Sequence, residues 1–173
     1  MNFGILMIQS LVNSFGMQVM AAFAAAVKID AFAYMPMQDY GNAFSIYVAQ
    51  NHGAKEEKRI ADGMKISFII VALTGLAISA IIWIFAERFM MLFVSAAETE
   101  VIVVGAQYLR IEGAFYFLIG FLFLFYGIYR GLGKVRMSII LTIISLGTRV
   151  LLAYALAPRF GLNIIWWSIV IGW

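Results

Sequence analysis

Cysteine is absent from this chain of 173 residues, and histidine occurs once. That removes disulfides, thiolate metal sites and cysteine nucleophiles from consideration. The single histidine, His52, sits in a Gln50-Asn51-His52-Gly53 segment that reads as a helix end at a membrane interface. Charge is scarce as well: 12% of residues are charged, against about a quarter in a soluble domain. The net charge of +3 is too small to argue for nucleic acid as a partner. No P-loop, HExxH or GxSxG occurs, and no catalytic constellation stands out, so the expectation is that the chain is not an enzyme and needs no cofactor. The first 27 residues are uncharged, so this stretch is not expected to be a secretory signal, which would open on a basic region.

What is present is apolar. Hydrophobic residues make up 64% of the chain and the mean hydropathy is +0.96. So few charges would not cover a water-facing surface, and the lipid bilayer becomes part of the solvent. A crossing needs about 20 residues at 1.5 Å rise per residue. The charges punctuate apolar runs that predict an all-α integral membrane protein. Five complete transmembrane helices fall near 1–27, 31–53, 63–86, 103–130 and 137–157, and a sixth, near 163–173, is too short to cross. The chain therefore reads as truncated inside its last helix. The connection near 54–65 holds Lys55, Lys58, Arg59 and Lys65, and that near 130–136 holds Arg130, Lys134 and Arg136. Two spans separate them, so they share a side, which the positive-inside rule makes cytoplasmic.

Polar residues inside the spans form stripes at helical spacing. Asn2, Gln9, Asn13 and Gly16 share a face of the first, and Gln38, Asn42 and Ser45 a face of the second, with Asp39 beside them. Ser138, Thr142, Ser145 and Arg149 follow one another on the fifth. Such stripes serve either helix–helix hydrogen bonding or a polar cavity. Asp39, Glu112 and Arg149 lie within or near hydrophobic stretches, where an unpaired charge costs at least ~2.5 kcal/mol. Asp39 follows Pro36, which removes a backbone donor. A carboxyl beside such a kink is a candidate for a proton or cation, with Arg149 as the residue that would hold it. Gly113, Gly120 and Gly127 recur every seven residues on the fourth span and predict close helix packing. Tyr116 and Phe117 are the aromatic residues there that would line a cavity.

Several segments carry a family resemblance. They include Asn13-Ser14-Phe15-Gly16, the run from Pro36 through Gln50-Asn51-His52-Gly53-Ala54, and Tyr129-Arg130-Gly131-Leu132-Gly133-Lys134. Their order and spacing resemble the second half of a multidrug and toxic compound extrusion (MATE) transporter, over essentially the whole chain. The resemblance implies helices seven to twelve of a twelve-helix protein, with a missing N-terminal lobe as partner. It implies export of cationic or amphipathic compounds across a bacterial plasma membrane by antiport with protons or sodium ions. The coupling ion would fall to Asp39, Glu112 and Arg149, and the substrate cavity to Asn13, Gln38, Asn42 and Tyr116. The position matching a helix-ten acid of some members is near Ile119, which is apolar, and a helix-seven acid would fall at or before Met1. A lipid-linked oligosaccharide flippase of the same superfamily would need a more basic cavity. A non-transporting scaffold subunit would have no need of a wet one.

Overall fold

The computed structural model describes the backbone of residues 2–173 and the side chains of residues 6–173. Among the described residues there are seven helices and no strand: α1 (Asn2–Asn13), α2 (Met17–Gly53), α3 (Glu57–Met90), α4 (Thr99–Gly113), α5 (Tyr116–Gly131), α6 (Val135–Phe160) and α7 (Asn163–Ile171). Helices are what an apolar chain must form in lipid, because each satisfies its backbone groups internally. By length and composition α2, α3 and α6 are able to cross a membrane. The pair α4 and α5, bent by 54° at Ala114-Phe115, makes a fourth, broken span.

The fold class matches the expectation, and several boundaries move. The first two spans were expected to part at Lys28–Asp30. Instead α2 runs unbroken for 37 residues, about 55 Å, and the break falls at Ser14–Gly16. Gly16 adopts φ +106°, a conformation that side chains resist, and this ends the helical path. Lys28 and Asp30 do not interrupt α2 because they project to different faces: Lys28 is exposed and Asp30 is buried. The expected connection at 54–65 shrinks to residues 54–56, since Lys58, Arg59, Asp62 and Lys65 belong to the first turns of α3. Exposed pairs at i,i+3, Arg59–Glu56 at 3.9 Å and Lys65–Asp62 at 3.6 Å, accompany that extension. The basic turn after α5 spans only 132–134. Its Lys134 amide donates to the Tyr129 carbonyl at 2.8 Å, the closing bond expected of a glycine-capped helix end.

α2 is the central helix, with α3, α4 and α5 packed on it. The contact with α5 is a backbone approach. A Cβ at Gly41 would lie 2.7 Å from the Phe123 carbonyl oxygen, and one at Gly131 2.6 Å from that of Ser45. The expected close packing at Gly113, Gly120 and Gly127 is present, against Ile82, Val71 and the Gly41 carbonyl respectively. The three do not share one straight helix, because the break at 114–115 leaves Gly113 at the end of α4. α7 is anchored by Trp166, fully buried and stacked on Phe23 of α2 with Tyr108 of α4 edge-on at 4.9 Å. The outward faces of α3 (Ile69, Leu73, Leu76, Ile84) and α6 (Ile139, Ile143, Leu151) are apolar and exposed, as suits contact with lipid.

Candidate functional site

Two polar features between the helices hold residues expected at a site. The first is a small interior cavity of about 40 Å³, with room for about three waters. Asp30 of α2, Glu112 of α4 and Arg149 of α6 line it, with Tyr34 and Tyr108 beside them. Each reaches it for a local reason. Asp30 lies four residues after Ala26 and seven after Phe23, on the buried stripe of α2. Glu112 occupies the last turn of α4, just before the bend. Arg149 precedes Ala153 and Ala157 at steps of four, and those alanines are the buried positions of α6.

Asp30 accepts a hydrogen bond of 2.7 Å from the Tyr116 hydroxyl, at the first residue of α5. Glu112 is 0% exposed, and neither of its carboxylate oxygens has a partner. The Arg149 Nε is likewise buried without a partner. Buried polar groups normally find hydrogen bonds, and charges that fail to do so cost several kcal/mol each. When all three are ionised, two carboxylates face one guanidinium and the cavity carries a net charge of −1. One monovalent cation, a proton included, brings it to neutrality.

The second feature is an open cleft of about 440 Å³ between α2, α5 and α6. Gln38 and Asn42 line one wall, Tyr126 and Arg130 the next, and Ser138 and Thr142 the third, with Phe123 and Val135 supplying apolar surface. Arg130 donates from Nη2 to the Asn42 side-chain oxygen at 2.7 Å and from Nε to Ser45 Oγ at 3.2 Å, which ties α5 to α2. Thr142 Oγ1 lies 3.1 Å from the Tyr126 hydroxyl. The polar stripe expected on one face of α6 divides. Ser138 and Thr142 face the cleft, Arg149 faces the acid-lined cavity, and the Ser145 hydroxyl bonds the Gly172 carbonyl of the chain's last turn.

Of the residues expected at a site, Glu112, Arg149 and Tyr116 gather at the first feature, while Gln38 and Asn42 meet at the second. Asp39 joins neither: it is exposed on α2. Its expected pairing with Arg149 is corrected, since no Asp39–Arg149 ion pair is formed among the described residues. The physical reason is the one-residue offset, about 100° around the helix, that turns Asp39 away from Gln38. Asn13 ends α1, exposed and outside both features, and Asn2 lies outside the described side chains. Sequence reasoning missed Asp30 because Lys28 and Asp30 together look like an interfacial boundary. The available signal was the apolar stripe Ala22, Ala26, Ile29 and Ala33, which runs through those charges without interruption.

Helices long and apolar enough to cross a membrane, packed around a buried acid pair and beside a polar cleft, define the class as an all-α integral membrane protein. A MatE family model matches residues 1–155, and the chain belongs to that family. It is 33% identical over 142 residues to the Probable multidrug resistance protein YpnP of Bacillus subtilis (strain 168), covering 82% of this chain and 32% of that protein. To the Probable multidrug resistance protein YoeA of the same organism it is 26% identical, over 90% of this chain and 34% of that one. The chain thus spans about a third of the length of the curated relatives it matches. Its fold superimposes on a Vibrio cholerae MATE transporter with a TM-score of 0.91, at 21% identity, over 99% of this chain and 39% of the other.

Proposed function

We propose that this chain forms the C-terminal lobe of a secondary efflux transporter in a bacterial plasma membrane, working with an N-terminal lobe and without enzymatic chemistry. Cationic or amphipathic small molecules are its substrates, and protons or sodium ions are its coupling ions. The observation that carries this reading is the Asp30–Glu112–Arg149 cluster. A buried group of net charge −1 is unfavourable, and one monovalent cation relieves it. Ion binding then stabilises the arrangement in which α2, α4 and α6 converge, and ion release loosens it. That is a differential interaction of the ion with two states, which a coupled conformational change requires. The open cleft on α2, α5 and α6 faces the substrate pathway, with the connections at 54–56 and 132–134 on the cytoplasmic side. Rocking of the two lobes alternately opens that pathway to either side.

The test is export from proteoliposomes by the full-length gene product under imposed proton or sodium gradients. Glu112→Gln leaves Asp30 opposite Arg149, a neutral cluster with no place for an ion. Gradient-driven export is expected to fall to background in this variant, while gradient-independent exchange of substrate continues. Undiminished gradient-driven export by Glu112→Gln would remove the cluster from the coupling mechanism. The two imposed gradients separate proton from sodium.

A further inference from the structure

Asp30, Tyr34, Gln38 and Asn42 follow one another on α2 at steps of four, so a single stripe of that helix runs from the acid-lined cavity into the cleft. The other two walls repeat this order. On α5, Ile119 lines the cavity, and Phe123 and Tyr126 line the cleft. On α6, Arg149 lines the cavity, and Thr142 and Ser138 line the cleft. The two features therefore lie end to end between the same three helices. Roughly 12 Å of α2 separates Asp30 from Gln38.

Tyr34 stands where they meet. It lines the cavity, and its ring meets that of Phe123, which lines the cleft, with centroids 5.8 Å apart and planes tilted by 44°. Asp30 and Glu112 are buried on one side of this pair, and Gln38 and Thr142 line the open cleft on the other. From this placement, and resting on the transport reading just proposed, we infer that Tyr34 and Phe123 form an aromatic gate through which the coupling ion passes between the acid cluster and the cleft. Oxygens able to receive a cation stand on both sides, and ring surface stands between. Phe123 is the fixed member, because its carbonyl and Cβ are pressed against Gly41. Tyr34 is half-buried and has room to turn. Its side chain changes rotamer without breaking a helix hydrogen bond, so the gate opens while α2 and α5 stay packed. Size adds selectivity. The cavity of about 40 Å³ takes an ion with a water or two, whereas the cleft of about 440 Å³ has the volume of a small-molecule pocket. A cationic substrate in the cleft is thereby kept from competing for the acids. Arg130 is remote from the gate: it stands about three turns beyond Ile119 on α5, tied to Asn42 and Ser45.

Labelling of a single cysteine tests this on the full-length gene product in phosphatidylcholine vesicles, with any cysteine outside this chain replaced by serine. Ile119→Cys puts the thiol on the cavity side of the ring pair, at a buried position, and the probe is the cationic reagent 2-aminoethyl methanethiosulfonate. Adding Tyr34→Ala is expected to speed labelling at least about tenfold, the scale of one aromatic pair. Tyr34→Phe keeps the ring and should label as slowly as the parent. Phe123→Ala removes the other half of the pair and should reproduce the fast rate. Ala86→Cys, fully buried and lining neither feature, should stay unlabelled in every background, which separates an open gate from loosened packing. In the same vesicles Tyr34→Ala should dissipate an imposed ion gradient without substrate, whereas Tyr34→Phe should hold it. Fast labelling of Ile119→Cys with the Tyr34 ring in place, or slow labelling in both alanine variants, overturns the gate. Either result leaves the transport reading to stand or fall with Glu112→Gln, which reads coupling alone.

Discussion

Replacing Arg149 with methionine removes the guanidinium that lines the cavity with Asp30 and Glu112 while keeping an apolar stem beside Gly172. With both carboxyls ionised, the cavity's net charge then goes from −1 to −2 in a space of about 40 Å³. Breaking a buried ionic group by removing one partner costs about 3–5 kcal/mol, because the remaining charge is uncompensated. Glu112→Gln alone moves the cavity from −1 to 0 and should be neutral or stabilising. The double variant returns the charge to −1, so most of the Arg149→Met penalty should disappear. Unfolding of the purified protein in mixed micelles, titrated with denaturing detergent near pH 8, gives all four corners of this cycle. A favourable coupling of about 2–3 kcal/mol is expected between the two positions. Additivity within about 0.5 kcal/mol would refute the reasoning, since it would mean that Glu112 carries no charge for Arg149 to offset.

Other expectations follow from packing and placement. Gly41→Ala places a methyl group 2.7 Å from the Phe123 carbonyl oxygen, where backbone must move. It should cost about 1–3 kcal/mol, seen as a lowered melting temperature in detergent. Gly147→Ala, on the open face of α6 with nothing within 4 Å, should instead hold or raise that temperature, gaining about 0.5–1 kcal/mol of helix preference. Asp39→Asn should leave gradient-driven export unchanged in the proteoliposome assay, because Asp39 is exposed and lines neither polar feature. A loss of coupling in Asp39→Asn would move the ion site away from the Asp30–Glu112–Arg149 cluster.

Composition and periodicity by themselves determined that this chain lives in a bilayer as a set of helices. So few charges leave no other solvent, and a chain in lipid must satisfy its backbone within each segment. Periodicity also placed Gln38 with Asn42, and Ser138 with Thr142, since residues three to four apart must share a helix face. The quoted motifs pointed to the family. Only the tertiary structure decided which stripe meets which. Arg149 faces Asp30 and Glu112 rather than Asp39, and Arg130 leaves its basic turn to line the cleft. Lys28 and Asp30 show why. Along the chain two charges two residues apart look like one event, but around a helix they are about 200° apart. One can therefore remain exposed while the other is buried among three neighbouring helices. A linear pattern specifies a face, and what that face touches depends on how α4, the bend at Ala114-Phe115 and α6 pack around α2.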